Sequence, residues 1–129
     1  VEAGQQDAAL QALEGLDLAG DARLTTSQIG DVHLVRGHAL VAQGNKQQAH
    51  DSLQEAVQCH RQGDERSLGA ALFLLGQVEG MLGDGEACGE HLAEALVISA
   101  RLGLPEQHAI RTVIERLQAQ AAAIESASD

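Results

Sequence analysis

Six positions of this chain recur in a single register. Gly37, Gly44, Ala49, Leu53, Ala56 and Val57 reappear 39 residues later as Gly76, Gly83, Cys88, Leu92, Ala95 and Leu96. A period in the range of 20 to 50 residues constrains a fold more than any local propensity, because each unit is one supersecondary element that must hide its apolar face on a neighbour. An earlier half-unit points the same way: Leu10 stands ten residues before Gly20-Asp21, as Leu53 stands ten before Gly63-Asp64. After Leu92 the corresponding Gly103 comes one residue later.

Glycine-containing breaks at Gly20-Asp21, Gly44-Asn45, Gly63-Asp64, Gly83-Asp84 and Gly103-Leu104-Pro105 divide the chain into segments of helical length. Glycine adopts the left-handed conformation that ends a helix, and the Asp or Asn beside it caps the next one. Six helices are therefore predicted, over 3–18, 25–43, 46–62, 65–82, 85–102 and 105–125. Apolar residues keep helical spacing within them: Leu68, Ala71, Leu72, Leu75, Val78 and Leu82 in one, Cys88, Leu92, Ala95, Ser99 and Leu102 in the next. No segment alternates like a strand.

Breaks this short lay consecutive helices antiparallel. Small residues at Gly37, Ala49, Ala56, Gly76, Cys88 and Ala95 let the paired helices approach, against the cost of about 1 kcal/mol that an interior Gly carries relative to Ala. The expected fold is all-α, an α-solenoid of antiparallel helical hairpins in one domain spanning 1–129. It comprises a partial N-terminal repeat at 3–20, repeats at 25–63 and 65–103, and a C-terminal helix at 105–125. The absence of an initiator Met at Val1 suggests a piece of a longer protein.

Charge and composition narrow the function. A formal charge of −11, with Lys46 the only lysine, repels phosphate backbones, and a single Phe with no Trp or Tyr removes the platforms on which bases stack. Nucleic-acid binding is not expected. No apolar run approaches the roughly 20 residues of a membrane span, and no signal peptide is legible, so a cytoplasmic, non-membrane protein is expected. Cys59 and Cys88 form neither a C-x-x-C pair nor a metal-ligand spacing and read as free structural thiols.

The series Leu75-Gly76, Gly83-Asp84, Cys88, Leu92, Ala95, matched by Gly37, Gly44, Ala49, Leu53, Ala56, resembles the tetratricopeptide repeat (TPR). The 39-residue period is similar to the long variant of bacterial regulators and LGN-like scaffolds, and the resemblance covers residues 25–103. The chain departs from that pattern at several positions. His33 and Leu72 stand where the family places a large aromatic, Leu40 and Glu79 where it places a later one, and Arg36 stands opposite the aliphatic Leu75.

Enzymatic readings find no support in the motifs. There is no G-x-x-x-x-G-K-[ST], H-E-x-x-H, G-x-S-x-G or EF-hand loop, and Gly83-Asp84-Gly85-Glu86 sets carboxylates where a phosphate would lie. His33 and His38 diverge by roughly 140° around a helix and do not clamp one ion. His50, His60, His91 and His108 are scattered over three helices, and Glu90 and Glu94 near His91 read as an exposed acidic edge. Adjacent Cys59 and His60 point about 100° apart, with no third group to orient them. No catalysis, metal or cofactor is expected. His33, in a packing position held elsewhere by Leu72, is expected to be a neutral histidine that loses packing on protonation.

The resemblance implies that the first helix of each hairpin lines a concave groove that takes an extended peptide or a helix of a protein partner. Helical spacing then assigns Asp31, Leu34, His38, Val41 and Ala42 of one unit and Ala70, Phe73, Gln77 and Met81 of the next to that groove. Phe73 and Met81 either line it or belong to the core. The set lacks the Lys and Asn with which chaperone-binding members grip a C-terminal carboxylate. The terminal stretch Ala109, Ile110, Val113, Ile114, Leu117, Ala121, Ile124 offers an apolar stripe that packs on helix 5 or supports weak homodimerisation through the terminal helices. The expected function is a non-catalytic protein-interaction scaffold. The alternative is a ligand- or partner-sensing segment of a larger bacterial signalling or transcription regulator.

Overall fold

The computed structural model describes residues 24–128; the helix expected over 3–18 and the break at Gly20 lie outside the described residues. Five helices follow one another: α1 (Thr26–Ala42), α2 (Lys46–Arg61), α3 (Glu65–Met81), α4 (Gly85–Leu102) and α5 (Glu106–Ser128). No strand occurs among the described residues, so the fold is all-α. The last helix begins one residue after Pro105 and runs past the expected end at 125.

The glycines end three helices by one hydrogen-bond pattern. Gly44, Gly83 and Gly103 take φ of +82°, +87° and +65°. In each case the glycine N–H donates to the carbonyl three residues back, and the following N–H donates to the carbonyl five back, as in Asn45 to Leu40 and Asp84 to Glu79, both 2.9 Å. This pairing satisfies carbonyls that the helix would otherwise orphan. Gly63 departs from expectation: it is not among the positive-φ glycines, and α2 ends at Gln62 in right-handed geometry.

Helix starts divide in the same way. The Asp64 carboxylate accepts from the backbone N–H of Arg66 and Ser67, and Asp84 accepts from Ala87 N at 3.1 Å. Thr25 and Gln28 form a reciprocal capping box at the head of α1. Asn45, expected to cap α2, makes no such bond; its amide donates backwards to Gln43 Oε1 at 3.4 Å.

Helices α1 and α2 pack closely, as do α3 and α4, and α3 lies against α2, α4 against α5, with a smaller contact between α1 and α3. The repeat is visible in the contacts. A Cβ added at Gly37 would sit 2.5 Å from Leu53 Cδ2, and one added at Gly76 would sit 2.9 Å from Leu92 Cδ2. A second pair obeys the same period: Gly30 abuts Cys59 and Gly69 abuts Ile98. Around these seams Ala49, Leu53, Ala56, Leu72, Val78, Leu92 and Ala95 are fully buried. Leu82 and Leu102, expected in the buried stripes, are each 41% exposed because they occupy the final residue of a helix or its cap, beyond the reach of the neighbouring hairpin. No helix among the described residues is long and apolar enough to cross a membrane.

Candidate functional site

The nine groove residues are split between α1 and α3, which touch one another. Asp31, His38, Ala42, Ala70 and Met81 are exposed, whereas Leu34, Val41, Phe73 and Gln77 are half-buried. Leu34, Val41 and Phe73 pack against the core cluster, so the lone Phe serves packing at least in part, while Met81 is 48% exposed. Asp31 also reaches the second helix of its hairpin: its Oδ1 lies 3.3 Å from His60 Nε2.

Gln77 and Met81 form one wall of a cleft of about 310 Å³, completed by Gly80, by Cys88 of α4 and by Val113, Arg116, Leu117 and Gln120 of α5. The repeat explains the opening. Gly80 stands where the first unit has Val41, which packs on the core. Gly80 itself lies close to Cys88, where an added Cβ would sit 3.3 Å from Sγ. Periodicity singled out neither Gly80 nor the polar residues of α5 as belonging to this wall. Of the terminal stripe, Ile110 is buried, Ile114 packs on the core, and Val113 and Leu117 are half-buried.

The most polar feature of the interior was not expected from spacing. Glu79, whose side chain is 3% exposed, stands where the other unit has Leu40, and its two carboxylate oxygens face two imidazoles from different helices. His50 Nε2 of α2 lies 3.1 Å from Oε2, and His91 Nδ1 of α4 lies 2.5 Å from Oε1. Buried polar atoms demand partners, and here both oxygens have one. The network ties the first hairpin to the second through α3. The departure at position 79 from the apolar pattern was the available signal; the partners come from sequence separations of 29 and 12 that only folding joins.

The expected acidic edge dissolves for the same reason. Glu94 is half-buried and accepts both Arg61 guanidinium nitrogens, at 2.5 and 2.8 Å, which holds its carboxyl below the usual carboxylate range. Glu90 alone of the pair is exposed. Arg101 also pairs with Glu65 across α3 and α4, through one guanidinium nitrogen.

Neither cysteine thiol is shifted toward its thiolate. Burial pushes the Cys59 thiol up, with Glu55 adding to it, and burial followed by Glu79 does the same to Cys88. A thiol raised in this way is a poor nucleophile. His60 beside Cys59 is 1% exposed, inside the hairpin rather than beside the sulfur at the surface. Among the described residues no group of three or more His, Cys, Asp or Glu is placed to hold a metal ion. No family model, curated protein or solved structure matches the chain.

Proposed function

We propose that this protein is a non-catalytic interaction scaffold of the TPR-like, α-solenoid kind, cytoplasmic, and that it binds a peptide or helix of a protein partner along the face shared by α1 and α3. The observation that carries the reading is the repeated seam. Gly37 against Leu53 and Gly76 against Leu92 are the same close approach in two successive hairpins, so the first helices of both present corresponding faces. Such quasi-one-dimensional stacks expose extended surfaces suited to partner binding. Asp31, His38, Ala42, Ala70 and Met81 supply solvent-accessible contacts there, and the thiols are held in their unreactive form.

The test is capture of partners from a lysate of the source by the full chain and by a variant carrying His38→Glu and Ala70→Glu, both exposed positions, with helicity checked by circular dichroism. The reading expects a specific protein to be retained by the wild type and lost by the helical variant; retention by both refutes it. The sensing alternative draws on one observation, the cleft of about 310 Å³ at Gln77, Met81 and Arg116, which sits at the lower end of small-molecule pocket sizes. Protection of Met81 and Leu117 resonances by a small-molecule extract, with no protein captured, decides for it.

A further inference from the structure

The histidines of the two hairpins are distributed unequally. In the first hairpin, His33 and His38 lie on α1 and His50 and His60 on α2; the residues 39 positions later in the second hairpin are Leu72, Gln77, Gly89 and Ser99. One repeat therefore carries four imidazoles where its sister carries residues that do not titrate.

Two of these rings are poorly provided for. His33 is half-buried, and its Nδ1 is shielded from solvent with no hydrogen-bond partner. His60 is 1% exposed, wedged so closely against α1 that a Cβ at Gly30 would lie 2.7 Å from its Nε2. Neither ring nitrogen of His60 completes a hydrogen bond, although Asp31 Oδ1 stands 3.3 Å away. An imidazolium needs two acceptors or water at its two N–H groups. The seam offers His33 no acceptor at Nδ1, so a charged ring gains solvation only by leaving it.

We propose that the α1–α2 hairpin is an acid-labile element: mild acidification charges His33 and releases α1 from α2, while the α3–α4 hairpin stays closed.

Electrostatics around the rings agree in sign. Desolvation holds His33 below its ordinary value, the Arg36 cation one turn away lowers it further, and Glu55 on α2 partly opposes both. Desolvation also lowers His38. Around His60 the facing charges are Asp31 on α1 and Asp64 at the head of α3. On the same helix, His50 is engaged by Glu79 of α3 and approached by Asp51. In the second hairpin the sole imidazole, His91, already faces the Glu79 carboxylate. A histidine held neutral by the fold binds its proton more readily once released, so falling pH favours the open hairpin. The inference does not depend on what the α1–α3 face binds.

The test is amide hydrogen exchange of the full chain at about pH 7.5 and about pH 5.5, corrected for intrinsic rates, with each helix followed separately. Protection of α1 and α2 is expected to fall by more than about twofold relative to α3 and α4 at the lower pH. His33→Leu, the residue of the sister repeat, is expected to abolish that difference. Ring proton titrations of the wild type supply a second readout, in which the His33 imidazole titrates below free histidine. Equal change in protection across all four helices, an unaltered pH response in His33→Leu, or a His33 titration at or above the free value each overturn the proposal.

Discussion

Adding one methyl group to the helix seam tests the repeat at its tightest point. In Gly76→Ala the new Cβ would lie 2.9 Å from both Cδ2 and Cγ of Leu92 and 3.3 Å from the Cys88 carbonyl oxygen. Leu92 is fully buried and the carbonyl belongs to α4's own backbone, so relief requires the Leu92 side chain to shift and α3 and α4 to move apart by a few tenths of an ångström. Overpacking of this kind costs about 1–3 kcal/mol, against a gain of about 1 kcal/mol from replacing Gly by Ala in a helix interior. The net expectation is a loss of about 0–2 kcal/mol, or a fall in Tm of up to roughly 8 °C for a domain of this size. Gly37→Ala, at 2.5 Å from Leu53 Cδ2, should behave alike. Gly89→Ala is the internal control: it is exposed on α4 with nothing within 4 Å of the added Cβ, and should gain about 0.5–1 kcal/mol. Thermal and urea unfolding followed by circular dichroism measure all three. If Gly76→Ala stabilises as Gly89→Ala does, the close approach is not a constraint and the repeated seam loses its physical basis.

Three further outcomes follow from the polar features. Glu79→Ala strips the shared acceptor from His50 and His91 and should cost about 1–3 kcal/mol, with a double-mutant cycle against His50→Ala recovering a coupling energy; simple additivity would show that the two hairpins are not tied there. Asp84→Ala removes the bond to Ala87 N and should cost about 1 kcal/mol, whereas Asn45→Ala, without a cap bond, should be near neutral; equal losses in urea titrations would contradict the cap geometry. Because His33 and His38 sit below 6.5 in the fold, the unfolded chain binds more protons on the acid side of that value. Their contribution is whole above about pH 6.5 and declines as the pH falls, so Tm should drop between about pH 7 and 5 more steeply in the wild type than in His33→Leu with His38→Gln.

The helical hairpins were legible because their determinants are local. A Gly that must take positive φ at 44, 83 and 103 ends a helix wherever the chain goes, and Asp64 and Asp84 cap the next one through bonds spanning two or three residues. The periodicity of Leu53 and Leu92 opposite Gly37 and Gly76 fixed which faces meet, since a Cβ at either glycine leaves the leucine no room. What the local pattern misjudged lay at element ends. Leu82 and Leu102 continue an apolar stripe in sequence but extend past the partner helix in space, and Gly63 and Asn45 carry turn residues whose special geometry the chain does not use.

Tertiary structure alone decided the electrostatics and the surface relief. Glu79 between His50 and His91, Arg61 on Glu94 and Arg101 on Glu65 join residues 12 to 36 apart, and no periodicity relates a carboxylate to the cation that a neighbouring helix will bring. The cleft beside Met81 likewise depends on α5 standing off from Gly80, a separation set by packing of whole helices. The sequence by itself determined, to within a residue, where α1 to α4 start and stop, because backbone conformation and short-range hydrogen bonds are properties of a few adjacent residues. Which charges meet, which histidines lose their solvent and which face stays open were decided only when the hairpins stacked, because desolvation and Coulomb attraction depend on distances through space that chain order does not contain.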